Sequence, residues 1–171
     1  MDPLSTLREL FRYNDECDRI VFTTAGLLSD EQLDRPLDLG LGSVRRICRH
    51  LLAGEATWLQ RIQGVTEARW PDERQLMLVS AMLEQLESIW ATRSQFLGTL
   101  SPDHLTRVQT YRDSKGSLFQ ATLHEMLIQS IVHSTHHRTQ IVSGIRRTGG
   151  QPPELDYMYL VRRPVTANQN P

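Results

Sequence analysis

The chain has 171 residues, 39% of them hydrophobic, enough apolar surface for one continuous core and no second domain. Its 19 basic and 20 acidic residues nearly cancel, so the broad positive field that non-specific nucleic-acid binding needs is missing. Met1-Asp2-Pro3 carries no basic leader, the apolar runs break well short of the roughly 20 residues of a membrane span, and Cys17 and Cys48 form no CxxC pair. The expectation is a cytoplasmic protein with two buried thiols and neither nucleic acid nor membrane as partner.

Apolar residues recur at three- and four-residue spacing along four segments, which predicts an all-α fold. The first helix runs from about Leu4 to Leu28, with Asp2 as cap and Pro3 in the first turn. The second starts after the cap Ser43 and carries Val44, Ile47, Cys48, Leu51, Glu55, Trp58, Leu59 and Ile62 on one stripe until Gly64 closes it. Pro71-Asp72-Glu73 suits the start of a third helix, which places Leu76, Val79, Met82, Leu83, Leu86, Ile89, Trp90 and Leu97 inward and stops at Ser101-Pro102. Between it and the fourth, Val108 to Tyr111 reads as a short extended piece and Asp113 to Gly116 as a turn. The fourth helix runs from about Leu118 to Arg147, ended by Gly149-Gly150 and Pro152-Pro153. Residues 1–164 therefore read as a single four-helix bundle, and 165–171, "VTANQNP", as a mobile tail. Loop lengths leave the order of the helices open.

The fourth helix contains "VHSTHHRTQI", three histidines within five residues. On a helix, residues three or four apart share a face and neighbours do not. Phe119, Leu123, Met126, Ser130, His133, His137, Ile141 and Gly144 follow that rule and form one inward stripe. Two imidazoles one turn apart can address the same divalent cation. His50 lies on the flank of the second helix's stripe, with room beside it at Gly54, and supplies a third ligand from a facing helix. Three neutral imidazoles suit zinc, nickel or ferrous iron rather than calcium or magnesium. The alternative is a set of core histidines hydrogen-bonded to neighbouring helices, which two rings on one buried turn make less economical. A pair of His133 with His136 is a further possibility, although His136 is turned toward a helix edge or a partner chain. His104 and His124 read as surface residues.

Polar residues on the inner faces are the remaining candidates. Asn14 and Asp18 continue the stripe of the first helix, so they either look into the histidine cavity, as a water-orienting or ring-holding group, or reach solvent as the stripe drifts. Glu55 is a candidate base near His50, or the partner of an arginine on a neighbouring helix, and Cys17 is a candidate soft fourth ligand. Arg45, Arg46, Arg49, Arg146 and Arg147 read as solvated helix faces. The clip H-S-T-H-H has no glutamate after its first histidine, and no E-x-x-H pair occurs on the helices, which argues against an H-E-x-x-H protease and a di-iron carboxylate centre.

"GSVRRICRHLLAGEATWLQRIQG" followed by "HSTHHRTQIVSGIRRTGGQPPELD" resembles the DinB/YfiT-like superfamily of small four-helix-bundle metalloenzymes, over nearly the whole chain. The resemblance implies that the histidine before A-x-E-x-x-W and the two of H-s-x-x-H-R-x-Q bind the metal, which fall on His50, His133 and His137. The ending Ile145, Arg146, Gly149, Pro152, Pro153 and Asp156 follows the family with isoleucine for leucine, while Thr139 and His136 stand where glycine and an aromatic are common. It further implies an up-down-down-up helix order, a homodimer, and zinc or nickel. The activity it implies is thiol-dependent transfer or isomerisation with a low-molecular-weight thiol and a small electrophile. A hydrolase using metal-activated water, or a non-catalytic metal-binding bundle, are the competing readings.

Overall fold

In the computed structural model the chain is described over residues 2–164, so the expected mobile tail lies outside the described residues. Helix α1, Pro3–Ala25, begins where the Asp2 carboxylate accepts from Leu4 N at 3.1 Å, and its buried face steps through Leu4, Leu7, Phe11, Asn14, Asp18, Val21 and Ala25. Ser29 and Gln32 close a capping box around a short helix α2, Asp30–Asp34, where the sequence predicts only loop. Helix α3, Val44–Ile62, is capped by Ser43 as expected. Helix α4 is Val79–Thr99, followed by a 3-10 turn at Pro102–Thr106 and the antiparallel strands β1, Val108–Arg112, and β2, Leu118–Thr122. Helix α5, Leu123–Arg147, and a short α6, Tyr157–Val161, complete the chain. No helix among the described residues is long and apolar enough to cross a membrane.

The packed pairs give the direction of each helix. Arg8 reaches the carbonyls of Leu97 and Leu100, Asp15 meets Arg93 and Arg19 meets Glu87, so α1 and α4 run antiparallel. Arg45, near the start of α3, reaches the Met77 carbonyl just before α4, and Glu55, further along α3, meets Arg93, further along α4, so α3 and α4 run parallel. Gly144 faces Val44 while Gly54 faces His133, so α3 and α5 are antiparallel. The bundle is therefore up-down-down-up in chain order.

That order explains why the third helix starts at Val79 and not, as the sequence predicts, at Pro71. Two parallel helices need a connection that travels back the length of the first, about 28 Å for the 19 residues of α3, or about nine residues of extended chain. Residues 63–78 make this crossover, and Leu76, expected inside, is 79% exposed. The fourth helix also starts later than predicted. Residues 118–122 pair with β1 in the register Val108↔Thr122 to Arg112↔Leu118, and Thr122 with Glu125 forms the capping box that opens α5. Phe119 thus stacks beside Tyr111 on the hairpin instead of joining the inward stripe.

Two apolar clusters fill the bundle, one built around Phe22, Ile47, Leu51, Met82, Leu86 and Ile141, the other around Leu4, Phe11, Ile62, Leu97, Met126 and Leu127. A polar layer separates them. In it Arg93 of α4 binds Glu55 of α3 and Asp15 of α1, Ser134 of α5 donates to Glu55, and Arg138 of α5 donates to Asn14 Oδ1 at 2.9 Å and Asp18 Oδ1 at 2.8 Å. Burial pushes Asp15 and Asp18 up to about 7 against the pull of these arginines. Arg45 and Arg49 are also buried, not solvated as expected: Arg45 is held by Asp30 and Asp34, and Arg49 donates to the Asp72 carbonyl at 2.7 Å.

Arg93→Met leaves Glu55 buried opposite a side chain that cannot pair with it. The expected loss is about 3–5 kcal/mol in urea unfolding at pH 7, and a loss below about 1 kcal/mol would show that the layer contributes no more than a surface ion pair.

Candidate metal centre

The histidines sit at the level of this polar layer, on the side where α3 and α5 face each other. His50 comes from α3, and His133 and His137 from successive turns of α5. Their ring centroids are 5.6 Å apart for His50–His133 and 4.5 Å for both His50–His137 and His133–His137. One nitrogen from each lies within 4.8 Å of the other two. The approach depends on Gly54: a Cβ there would stand 2.2 Å from His133 Cε1.

Two of the rings are oriented by neighbours. His50 Nδ1 lies 3.1 Å from Glu73 Oε1, and the Trp70 indole N–H donates to that same oxygen. His137 Nδ1 lies 3.0 Å from Gln140 Oε1, whose amide rests on Gly40; a Cβ there would stand 2.7 Å from the same oxygen. Both oxygens accept, so the protons belong on Nδ1 and each Nε2 keeps its lone pair. His133 differs: its Nδ1 is buried and has no hydrogen-bond partner among the described residues.

Burial is the main reason the His133 pKa falls to about 3, with the neighbouring His137, His50 and His136 and the Arg61 charge adding to it. Burial also lowers His137, against the pull of Gln140. Both are neutral at pH 7, the state in which imidazole donates to a metal. Three half-buried imidazoles converging from two helices, one with an orphaned nitrogen, fit a divalent transition-metal ion.

The other candidates are placed elsewhere. Asn14 and Asp18 are fully buried, contrary to the solvent reading, yet they hold Arg138 and do not join the histidines. Glu55 takes the arginine alternative, bound by Arg93 and Ser134, and is no free base. Cys17 is buried and interacts with the Tyr13 hydroxyl, and Cys48 is buried in the apolar core. His136 is exposed and pairs with Gln140 Nε2 at 3.1 Å, so a His133–His136 pair does not form a cluster. His104 Nδ1 accepts from Ser101 N at 3.0 Å, and His124 is half-buried near the start of α5. Sequence reasoning missed Glu73 and Trp70, which it placed at or before a helix start, and it gave Gln140 no role although the H-R-x-Q pattern contains it.

Two outcomes follow. Gly54→Ala displaces the His133 ring and weakens zinc binding by about tenfold or more with the helical circular dichroism retained; unchanged affinity would contradict the close approach. In the metal-free protein His133 remains neutral at pH 5, read by imidazole NMR shifts. Its folded pKa lies below the ordinary 6.5, so the unfolded chain takes up the proton first and this group's stabilising effect is lost as pH falls from about 6.5 toward 3. Titration of His133 near 6.5 would contradict that burial.

The DinB family model matches residues 3–164. Among solved structures, YfiT from Bacillus subtilis, described as a probable metal-dependent hydrolase with an unusual four-helix bundle topology, aligns at a TM-score of 0.68 and 22% identity, covering 85% of this chain and 89% of that one. A DinB-like protein from Bacillus cereus aligns at 0.66 and 18% identity, covering 85% and 92%. No curated protein matches the chain. With the family model spanning nearly all of the described residues, the chain belongs to the DinB family.

Proposed function

We propose that the chain is a metal-dependent enzyme in which His50, His133 and His137 hold a divalent cation, zinc or nickel first and iron second, and that it transfers a small-molecule thiol to an electrophile. The observation that carries this reading is the convergence of three imidazole nitrogens within 4.8 Å on a half-buried face, on rings of which His133 has its Nδ1 buried without a hydrogen-bond partner among the described residues. A cation held there would supply Lewis acidity, the chemistry that favours the thiolate form of a thiol at neutral pH. The chain's own residues hold the site: Glu73 and Gln140 fix two rings, and burial keeps His133 neutral. The three histidines are each partly exposed, which supports access by small molecules.

The choice of thiol over water rests on the carboxylates. Among the described residues, Glu55 is tied to Arg93 and Ser134, and Glu73 to His50 and Trp70, so neither stands free as a general base. A thiol on a cation held there would be deprotonated outright, whereas water would ionise only near pH 7 and would gain more from a base. Hydrolysis is the second reading, favoured by the description of the structural neighbour YfiT.

The test combines binding and turnover. Wild type is expected to bind one equivalent of zinc or nickel, and His50→Ala, His133→Ala and His137→Ala to lose it; stoichiometric metal in all three variants would remove the site assignment. Loaded protein, incubated with monochlorobimane and a panel of bacterial thiols, is expected to form a conjugate that a chelator abolishes. Ester hydrolysis without conjugation would favour the second reading.

A further inference from the structure

We infer that the crossover at residues 63–78 is a working part of the metal centre, with Glu73 as the positioning residue for His50, so that cation loading and docking of the crossover on α3 are coupled. This rests on the metal-centre reading above.

The crossover descends α3 in reverse. Thr57 Oγ1 donates to the Arg69 carbonyl at 3.4 Å, Glu73 meets His50, Arg49 reaches the Asp72 carbonyl at 2.7 Å and the Met77 sulfur at 3.1 Å, and Arg45 reaches the Met77 carbonyl at 3.4 Å. These contacts are polar. Of the segment's apolar side chains, Met77 packs against the core, whereas Leu76 is 79% and Leu78 65% exposed. A segment held mainly by a few hydrogen bonds opens locally at low free energy, so each contact carries a large share of its docking.

Glu73 makes the one hydrogen bond, among the described residues, between the crossover and a histidine of the trio. Its Oε1 accepts from both His50 Nδ1 and the Trp70 indole, whose ring lies 5.0 Å from that of His50. The adjacent cation, Arg74, is held by Asp72 at 2.9 Å and not by Glu73. With its proton held on Nδ1, His50 offers Nε2 as its metal donor. A carboxylate placed this way typically changes metal affinity by about 10–100-fold. Linkage is reciprocal, so a bound cation stabilises the docked crossover by the same factor.

The experiment measures zinc affinity by chelator competition and trypsin cleavage after Arg69 and Arg74, read by mass spectrometry. Arg74 is exposed, with 91% of its side-chain surface accessible. In the wild type, zinc is expected to slow cleavage at these two bonds about 10–100-fold. Glu73→Ala is expected to bind zinc about 10–100-fold more weakly and to lose the protection. Glu73→Gln, whose carbonyl still accepts, falls between, and Trp70→Phe, which keeps a ring but removes the N–H, shows a smaller loss than Glu73→Ala. Zinc affinity in Glu73→Ala within about twofold of wild type, or wild-type cleavage indifferent to zinc, overturns the inference. If the histidine variants lose zinc while Glu73→Ala does not, only the crossover's role fails; if wild type binds no zinc, or His50→Ala binds it equally well, the metal reading fails and this inference with it.

Discussion

Helices α3 and α5 approach so closely that the meeting of the three histidines follows from their separation. At Gly54 the helices leave no room for a Cβ, because the His133 ring occupies that space, and at Gly144 the Val44 side chain does the same. Only this separation lets His50 reach across to two rings on the opposite helix. The caps serve the same end: Ser43 and Thr122 fix where the two helices begin, which sets their register and so the level at which the histidines meet.

That level is the polar middle of the bundle. Two apolar clusters lie above and below it, and the side chains between them, Arg93, Glu55, Asp15, Arg138, Asp18 and Asn14, are paired from helix to helix. Such a layer is expensive to desolvate, and replacing it with apolar side chains would often stabilise a bundle. Its effect here is positional. Ser134 and Arg138 tie α5 to α3 and α1 immediately beside His133 and His137, so the turn that carries the rings is held by bonds with defined directions. The rings themselves remain neutral because burial disfavours their charged form.

Much of this could be read in the sequence, for identifiable reasons. Helical periodicity is a local property, so the inward face shared by His133, His137, Ile141 and Gly144 followed from spacing, as did the room at Gly54. What failed was non-local. Pro71-Asp72-Glu73 has the composition of a helix start, yet parallel α3 and α4 require an extended return, and only the packing of helices reveals that. Spacing puts Asn14 and Asp18 on the stripe of α1, but neither the histidine cavity nor solvent receives them, because their partner, Arg138, lies more than a hundred residues away. Phe119 fits the helical stripe by number and leaves it because β2 pairs with β1. Glu73 carried no signal of its own once its segment had been given to a helix.

If His50, His133 and His137 are the ligands of one cation, X-ray absorption at the zinc edge of the loaded protein shows scattering from three imidazole rings together with light-atom ligands from solvent. A spectrum with one imidazole or none, or with a sulfur shell from Cys17 or Cys48, is incompatible with that site.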